Sequence, residues 1–400
     1  MTRPAAPARL RSAGHHAAWA ASQRRSLRRV LGGGTTYERI AVELALRCRA
    51  PTTVQSYNVK WSQFEAFCAR EGLRALPATT ATCAAYVAYL YTAGRVQPES
   101  VQPYLSAINA VHRDLFPHLD AGPAAGSIIH AVLRGWQQAR AALPLGSPGA
   151  RQPSRRVPLP ASAARAALTA GVADAARRAA GDAELLPLAV LRGLVYLVLG
   201  FALLGRASTM ASIKVDDVSL DAEHITIVLV KEKGKNHLPG GRRLQLSRAA
   251  LPQLARLLEH WLARRAAAWV RAHADDQPPP RQHQLLFALP ADRRADILAA
   301  ASASCTAWLA TACRHLGAEP PPGTCWSSHS LRSGGASAAR KAGAPLEAVR
   351  HLGGWAATSN VVQHYIDPLY ADDPGCGMYF NYLAPRSHPA AAPSQAVPPP

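Results

Sequence analysis

The sequence predicts a mainly helical protein with one small β-hairpin, divided into an all-α N-terminal domain and an α+β C-terminal domain. Apolar residues recur at three- and four-residue spacing through most of the chain, as on the buried faces of helices. A short run of β-branched residues, 225–230, is followed by a turn and a returning strand over 242–246. A segment rich in Pro, Gly, Ser and Arg, 144–160, has the composition of an interdomain linker.

The N-terminal half begins with a basic arm, residues 1–34, which we expect to be disordered and which ends in three consecutive glycines. The helical pattern starts at Thr35. A clear amphipathic helix opens at Pro51 and stops at Gly72. Further helices are predicted over 80–91, 98–115 and 127–142, so residues 35–143 form one compact helical domain.

The C-terminal domain is predicted to span residues 161–382. One or two buried helices within 185–204 come first, and the hairpin with its lysine-rich tip follows. Later helices are predicted over 251–270, 299–316 and 345–352, and Gly353 ends the last of them. Residues 383–400 form a Pro/Ala-rich tail that cannot build a core.

The net charge of the chain is +20, which favours an anionic polymer such as nucleic acid as the partner. Only six of the 45 basic residues are lysine, so a biased nucleotide composition is an alternative source of this charge. The seven cysteines are scattered and show no metal-ligand spacing. We therefore predict no disulfide framework and no metal site, and infer a reducing compartment.

The chain shows no secretory signal, and its most apolar run, 193–204, is shorter than a bilayer requires. We therefore predict no membrane association and a location with DNA, in a nucleus or a bacterial cytoplasm. Residues 1–37 contain no Asp or Glu. This basic arm is a plain disordered tail, an organellar transit peptide, a nuclear signal or an arm that grasps DNA.

The residues with the most chemistry lie in one stretch, 329–368, which has the sequence HSLRSGGASAARKAGAPLEAVRHLGGWAATSNVVQHYIDP. His329 and Arg332 lie three apart, so they share one face of a helix. Trp355 follows two glycines, and Tyr365 lies ten residues beyond it. An arginine fork binds two phosphate oxygens, a histidine moves a proton, and a tyrosine is a nucleophile. The alternatives are a chance His-x-x-Arg pair and two aromatic residues that serve only the core.

The order and spacing of these four residues resemble the C-terminal half of the tyrosine recombinase, or phage integrase, family. Within that family the stretch is most similar to the Cre-type branch, which has Trp in place of a second His. The resemblance covers residues from about 50 to 380 and implies His329, Arg332, Trp355 and Tyr365 as active-site members. It also implies Arg206, in the sequence LLGRAST, as the first catalytic arginine.

On the hairpin, the resemblance implies Lys235 as the general acid that protonates the leaving 5′-oxygen, with Lys233 as the alternative. Two departures stand out. Thr209 occupies a position where the family usually has an acidic residue, and the Trp-to-Tyr spacing is one residue longer than the commonest. We expect the turn 356–359 to absorb the extra residue.

On the short helix that carries Tyr365, two valines are predicted to face the core, and three later tyrosines are competing nucleophiles. These residues are Val361, Val362, Tyr370, Tyr379 and Tyr382.

The resemblance implies a core-binding N-terminal domain and a site-specific recombinase or integrase that acts through a 3′-phosphotyrosine. Its partner is double-stranded DNA, it works as a homotetramer on two DNA sites, and it needs no cofactor. The alternatives are a transposon relic that binds DNA without cutting it and a type IB topoisomerase. Plausible phosphate contacts in the N-terminal domain are Lys60, Arg70, Arg95 and Arg113.

Overall fold

In the computed structural model, the described residues are 28, 34–46, 48–49, 51–94, 96–116, 122–143, 157–230, 241–273 and 279–367. The chain divides into two compact units, residues 1–153 and 154–400, and the division falls inside the segment predicted as a linker. Among the helices in the described ranges, none has the length and apolarity needed to cross a membrane.

Within the described residues of the N-terminal unit, the regular secondary structure is all helical, as the sequence predicts. Its core centres on Phe64, whose ring lies 5.4 Å from that of Trp61 and 5.2 Å from that of Tyr86. Its helices are α1 (Thr36–Leu46), α2 (Pro51–Arg70), α3 (Thr80–Ala93), α4 (Gln102–Leu115) and α5 (Ser127–Ala141).

One predicted helix of this unit is divided. The pattern over 98–115 predicts a single helix, but the structure has a 3₁₀ turn, Pro98–Ser100, followed by α4. Pro103 lies in the first turn of α4, where its missing N–H costs nothing. In a continuous helix its ring would clash with the carbonyl four residues earlier. The helix therefore restarts at Gln102.

The C-terminal unit combines eight α-helices and three 3₁₀ turns, counted among its described residues, with one small sheet, which confirms the predicted fold class. The helix α6, which opens this unit, was not predicted. The α-helices are α6 (Ala161–Ala179), α7 (Leu188–Ala202), α8 (Ala207–Ser212), α9 (Pro252–Ala272), α10 (Arg294–Ala299), α11 (Ala301–His315), α12 (Ser328–Lys341) and α13 (Leu346–Gly353). The 3₁₀ turns are Val215–Asp217, Arg281–His283 and Asn360–Tyr365.

The sheet has three antiparallel strands in the order β1 (Val218–Leu220), β2 (His224–Leu229) and β3 (Arg242–Ser247). The hairpin of β2 and β3 was predicted, and its register pairs Ile225 with Leu246 and Ile227 with Leu244. These four side chains are buried and turn one face of the sheet to the core. Strand β1 was missed because three residues are too few to show an alternating pattern.

The core of this unit is built around α7, which is buried from Gly193 to Ala202. A side chain at Gly193 would stand 2.6 Å from the Trp308 carbonyl oxygen of α11. The glycine therefore lets the backbones of α7 and α11 approach closely. This contact holds α7 against α11, and the first candidate arginine follows the C-terminal end of α7.

A buried polar cluster joins α6 to α9. The carboxylate of Asp174, fully buried, contacts His260 Nε2 at 2.8 Å and accepts from Arg264 at 2.9 Å and from the Leu186 amide at 2.7 Å. Burial alone would raise the pKa of Asp174, but hydrogen bonds from Leu186, His260 and Arg177 hold the pKa below its usual value. Burial also lowers the pKa of His260, so we assign it as a neutral donor to an ionised Asp174.

Replacing Asp174 with alanine should destabilise this unit by about 3 kcal/mol or more, because Arg264 and His260 would lose their buried partner. Because the pKa of Asp174 is depressed, its stabilisation is present above the ordinary aspartate pKa of 3.8 and is lost as the pH falls through the lower pKa of the folded state. Thermal unfolding at pH 7 and at lower pH tests both statements. Asp296→Ala, which breaks an exposed pair with Arg293, is the control and should have little effect. A wild-type melting temperature in Asp174→Ala would contradict the expectation.

Candidate active site

Helix α12 carries two of the candidate residues, and local contacts fix where it begins. The Ser327 hydroxyl accepts from the His329 amide, and Ser330 Oγ accepts from the Ser327 amide, which forms a capping box. Gly334 and Gly335 lie directly against backbone atoms of Leu159 and Phe201. Any side chain at these positions would collide with the main chain, so the two glycines allow α12 to pack closely against the core.

Leu159 lies in the last part of the predicted linker, of which the structure describes residues 157–160. It is fully buried, and its amide donates to the Ser330 carbonyl at 2.9 Å. The end of this segment therefore belongs to the core of the C-terminal unit and supports the first turn of α12.

Arg332 is the buried centre of the site, with 2% of its surface exposed. It donates to the carbonyl oxygens of Leu204 and of Gly353, the latter at 2.7 Å. Its guanidinium carbon lies 3.6 Å from the centroid of the Trp355 ring. Carbonyl oxygens and an aromatic face orient a guanidinium without cancelling its positive charge. Such a group is suited to bind an anion.

Arg206 lies next to this centre in the chain, since the Leu204 carbonyl that Arg332 binds is two residues before it. Leu204 has φ of 51°, the one positive value at a non-glycine residue among the described positions. A left-handed conformation at leucine costs about 1–2 kcal/mol, which the surrounding core must offset. Arg206 is half-buried, and its side chain has no hydrogen bond or ion pair with any described residue. Thr209 is buried one helical turn further on.

Helix α13 delivers Trp355 to the site. The sequence predicted Gly353 as its end, but the helix includes Gly353, and Gly354 takes the left-handed conformation with φ of 65°. A side chain at Gly353 would overlap the Trp355 ring. The indole N–H of Trp355 is buried and has no hydrogen-bond partner among the described residues. It is therefore a donor for which these residues supply no acceptor.

Tyr365 ends the 3₁₀ turn and lies against the other candidates. Its ring centroid is 5.3 Å from that of Trp355 and 5.2 Å from the Arg332 guanidinium carbon. The His329 ring lies 6.4 Å away and nearly parallel, at 13°. His329, Arg332 and Trp355 thus lie around Tyr365. That the turn 356–359 absorbs the extra residue between Trp355 and Tyr365 stays a prediction.

The prediction that both valines before Tyr365 face the core was half wrong. Val362 is fully buried, but half of the Val361 surface is exposed. The reason is the tighter winding of a 3₁₀ turn, in which residues three apart share a face and neighbours point in different directions.

Both candidate general acids, Lys235 and Lys233, lie in residues 231–240, outside the described residues. The strands on either side of this segment, β2 and β3, are described. Their last pair before the segment is Leu229 with Arg242. Arg242 donates to the carbonyl oxygens of His351 at 3.0 Å and Leu352 at 3.1 Å. It thereby ties the hairpin to the C-terminal end of α13, where positive charge is favoured. The sequence analysis missed this residue, since one arginine at a strand start carries no distinctive pattern.

The candidate DNA contacts of the N-terminal unit differ in how they are held. Lys60 donates to the Ser56 hydroxyl at 2.8 Å, and its ammonium lies 5.5 Å from the Tyr104 centroid. Arg70 lies 4.4 Å over the Tyr89 ring and pairs with a neighbouring glutamate. Arg113 is exposed. Arg95, like Tyr370, Tyr379 and Tyr382 of the C-terminal half, lies outside the described residues.

Residues 189–372 match the sequence model described as the phage integrase family. Among solved structures, a XerH site-specific recombinase bound to palindromic difH substrate is 15% identical, with a TM-score of 0.49, and 91% of this chain and 95% of that chain are covered. A lambda integrase tetramer bound to a Holliday junction is 14% identical, with a TM-score of 0.45 and coverages of 88% and 77%. The XerA recombinase is 13% identical, with a TM-score of 0.34 and coverages of 93% and 99%. No curated protein sequence matches the chain.

Proposed function

Residues 189–372 of this chain form a domain of the phage integrase family, and from that premise we propose that the protein is a site-specific DNA recombinase. In this proposal it cuts and rejoins DNA through a 3′-phosphotyrosine intermediate. The observation that carries the proposal is the convergence of Arg332, Trp355 and His329 on the ring of Tyr365. In this proposal, Tyr365 is the nucleophile, Arg332 binds the phosphate, Trp355 donates a hydrogen bond and His329 carries a proton, all at one phosphodiester.

The phosphate is held by the two arginines in this mechanism. Arg332 is pre-oriented by the Leu204 and Gly353 carbonyls and offers its charge to the non-bridging oxygens. Arg206, joined to it through the Leu204 turn, supplies the second set of donors. The buried indole N–H of Trp355 donates to the same phosphate. Donors fixed before the reaction stabilise the charge that develops in the transition state.

Cleavage forms one bond and breaks one. The Tyr365 oxygen bonds to phosphorus, the bond from phosphorus to the 5′-oxygen breaks, and the tyrosine proton passes to His329. Lys235, or Lys233, gives a proton to the leaving 5′-oxygen. The reverse reaction with a 5′-hydroxyl from another strand rejoins the DNA. Because the phosphotyrosine keeps the energy of the broken bond, the reaction as proposed uses neither a metal nor a nucleotide.

Recombination between two sites needs more than one subunit. We therefore propose that the protein binds double-stranded DNA and acts as a homotetramer on two DNA sites. The N-terminal helical unit would then serve as a second DNA-binding body, and the net charge of +20 supports a polyanionic partner.

Capture of the covalent intermediate tests the proposal. The substrate is a pool of duplexes with a randomised core, each nicked so that cleavage releases a short 5′-hydroxyl fragment and prevents rejoining. With a chelator present, the wild-type protein should form an adduct that survives denaturant and carries a nucleotide on a tyrosine peptide. Binding without any adduct would favour the DNA-binding relic. An adduct that requires a divalent metal would contradict the mechanism.

Affinity for duplex DNA should fall steeply with salt, because each phosphate neutralised by a basic side chain releases counterions. A plot of log Kd against log salt should lose about one unit of slope in Arg113→Gln. Arg70→Gln should change the slope less, because the Arg70 guanidinium is already stacked on Tyr89 and paired with Glu71. Affinity that stays flat from about 50 to 200 mM salt would count against nucleic acid as the partner.

A further inference from the structure

Two serines of α12 bind the main chain of Tyr365. The Ser333 hydroxyl donates to the Tyr365 carbonyl at 2.8 Å, and the Ser337 hydroxyl lies 3.3 Å from the same oxygen. Ser337 Oγ also accepts from the Asp367 amide at 2.8 Å. The backbone from Tyr365 to Asp367 is thus attached to α12 at three points.

The position of these serines on α12 matters. Ser333 follows Arg332 directly, and Ser337 lies four residues after Ser333, so both hydroxyls lie on one face of the helix. The same helix carries His329 one turn before Ser333, on the same face. One rigid element therefore fixes the guanidinium and the tyrosine main chain together, and the distance between them does not depend on a flexible loop.

The chemistry of the two hydroxyls indicates a dedicated contact. Serine in the middle of a helix usually bonds to the carbonyl four residues before it or faces solvent. Here both serines instead bond to a segment about 30 residues later in the chain. Ser337 is fully buried, where an unsatisfied hydroxyl would be costly. Its hydroxyl is satisfied both as a donor, to the Tyr365 carbonyl, and as an acceptor, from the Asp367 amide.

The turn that carries Tyr365 needs such support. It is a 3₁₀ turn of six residues, and hydrogen bonds within 3₁₀ turns have poorer geometry than those of an α-helix. The Tyr365 carbonyl comes at its end, where no further turn of helix provides a donor. Without the serines, the position of the tyrosine ring would depend on its contacts with Arg332, Trp355 and His329.

We propose that Ser333 and Ser337 are positioning residues that hold Tyr365 in register with Arg332. This inference rests on the proposed function insofar as Tyr365 is the nucleophile. A misplacement of a reacting group by about 1 Å can cost on the order of 10²-fold in rate. The serines touch neither substrate nor phosphate and act through the tyrosine main chain alone.

The first test does not depend on activity. Chymotrypsin cleaves after tyrosine only when the segment opens locally. In the full-length free protein, cleavage of the bond between Tyr365 and Ile366, followed by mass spectrometry, should be at least about 3-fold faster in the Ser333→Ala/Ser337→Ala double variant. Ser302→Ala, which removes an exposed hydroxyl from α11, is the matched control and should cleave at the wild-type rate. An unchanged rate in the double variant would overturn the inference.

The second test measures the rate at which the covalent adduct forms on the nicked duplex described above. The double variant should form the adduct about 10-fold more slowly at saturating protein, with Kd for the duplex unchanged. Ser333→Thr, which keeps a hydroxyl, should be faster than Ser333→Ala. Equal rates in those two variants, or a wild-type rate in the double variant, would overturn the positioning role. If the wild-type protein forms no adduct, the proposed function fails, and faster chymotrypsin cleavage would still support the serine contacts.

Discussion

Replacing Tyr365 with phenylalanine should reduce the covalent protein–DNA adduct to background. Phenylalanine keeps the ring that packs on Trp355 and under Arg332, and it loses only the oxygen that bonds to phosphorus. The fold and the affinity for DNA should therefore be unchanged. The measurement is the amount of denaturant-resistant adduct on nicked duplex with a chelator present, together with Kd for the same duplex.

Three matched variants control for the identity of the nucleophile. Tyr370→Phe, Tyr379→Phe and Tyr382→Phe should each form the adduct as the wild-type protein does. An adduct that persists in Tyr365→Phe would move the nucleophile to another residue. If it then disappears in one of the three controls, that tyrosine is the nucleophile, and the cluster around Tyr365 is a packing arrangement.

Replacing Arg332 with lysine should lower the rate of adduct formation on the order of 10²-fold, by comparison with the loss of single transition-state donors in other enzymes. Lysine keeps the charge but lacks the planar fork. It cannot donate to the Leu204 and Gly353 carbonyls while also lying flat on the Trp355 ring. DNA affinity should be largely kept, since most of it comes from other phosphate contacts.

Arg340→Lys is the control for this substitution, because Arg340 lies on the same helix, is exposed, and binds only the nearby Ala344 carbonyl among the described residues. It should keep the wild-type rate. Thermal unfolding of both variants separates a loss of chemistry from a loss of fold. Arg332→Lys with a wild-type rate would remove Arg332 from the phosphate site.

The candidate site was predictable from the sequence only in part. His329 and Arg332 share one helix face because three residues of separation fix their relative position, whatever the remaining chain does. Tyr365 was expected at the phosphate, and its ring does lie beside Arg332 and Trp355. Arg242, Ser333 and Ser337 were not found. An arginine that starts a strand and serines in the middle of a helix are common patterns, and their partners lie far away in the chain.

The sequence by itself determined most of the helices, the hairpin of β2 and β3, and the spacing of the residues that carry the resemblance, although helix α6 was missed. Helix and strand periodicity depends on neighbours within a few residues, and so do stop signals such as Gly72, which has φ of 65°. The same local reasoning failed where a 3₁₀ turn replaced a predicted stretch of α-helix. The 3₁₀ turn that ends at Tyr365 leaves Val361 exposed, and Pro103 divides one predicted helix into two pieces.

Only the tertiary structure decided which distant residues meet. The Leu204 carbonyl binds Arg332 across 128 positions of the chain, and Asp174 joins His260 across 86. The glycines of α12 set the first contact by allowing backbones to touch, and the burial of α6 against α9 sets the second. Such contacts depend on how the whole core packs, because packed side chains must fill the interior at close to crystal density. Periodicity indicates which face of a helix is buried, but it does not identify the residue on the other side.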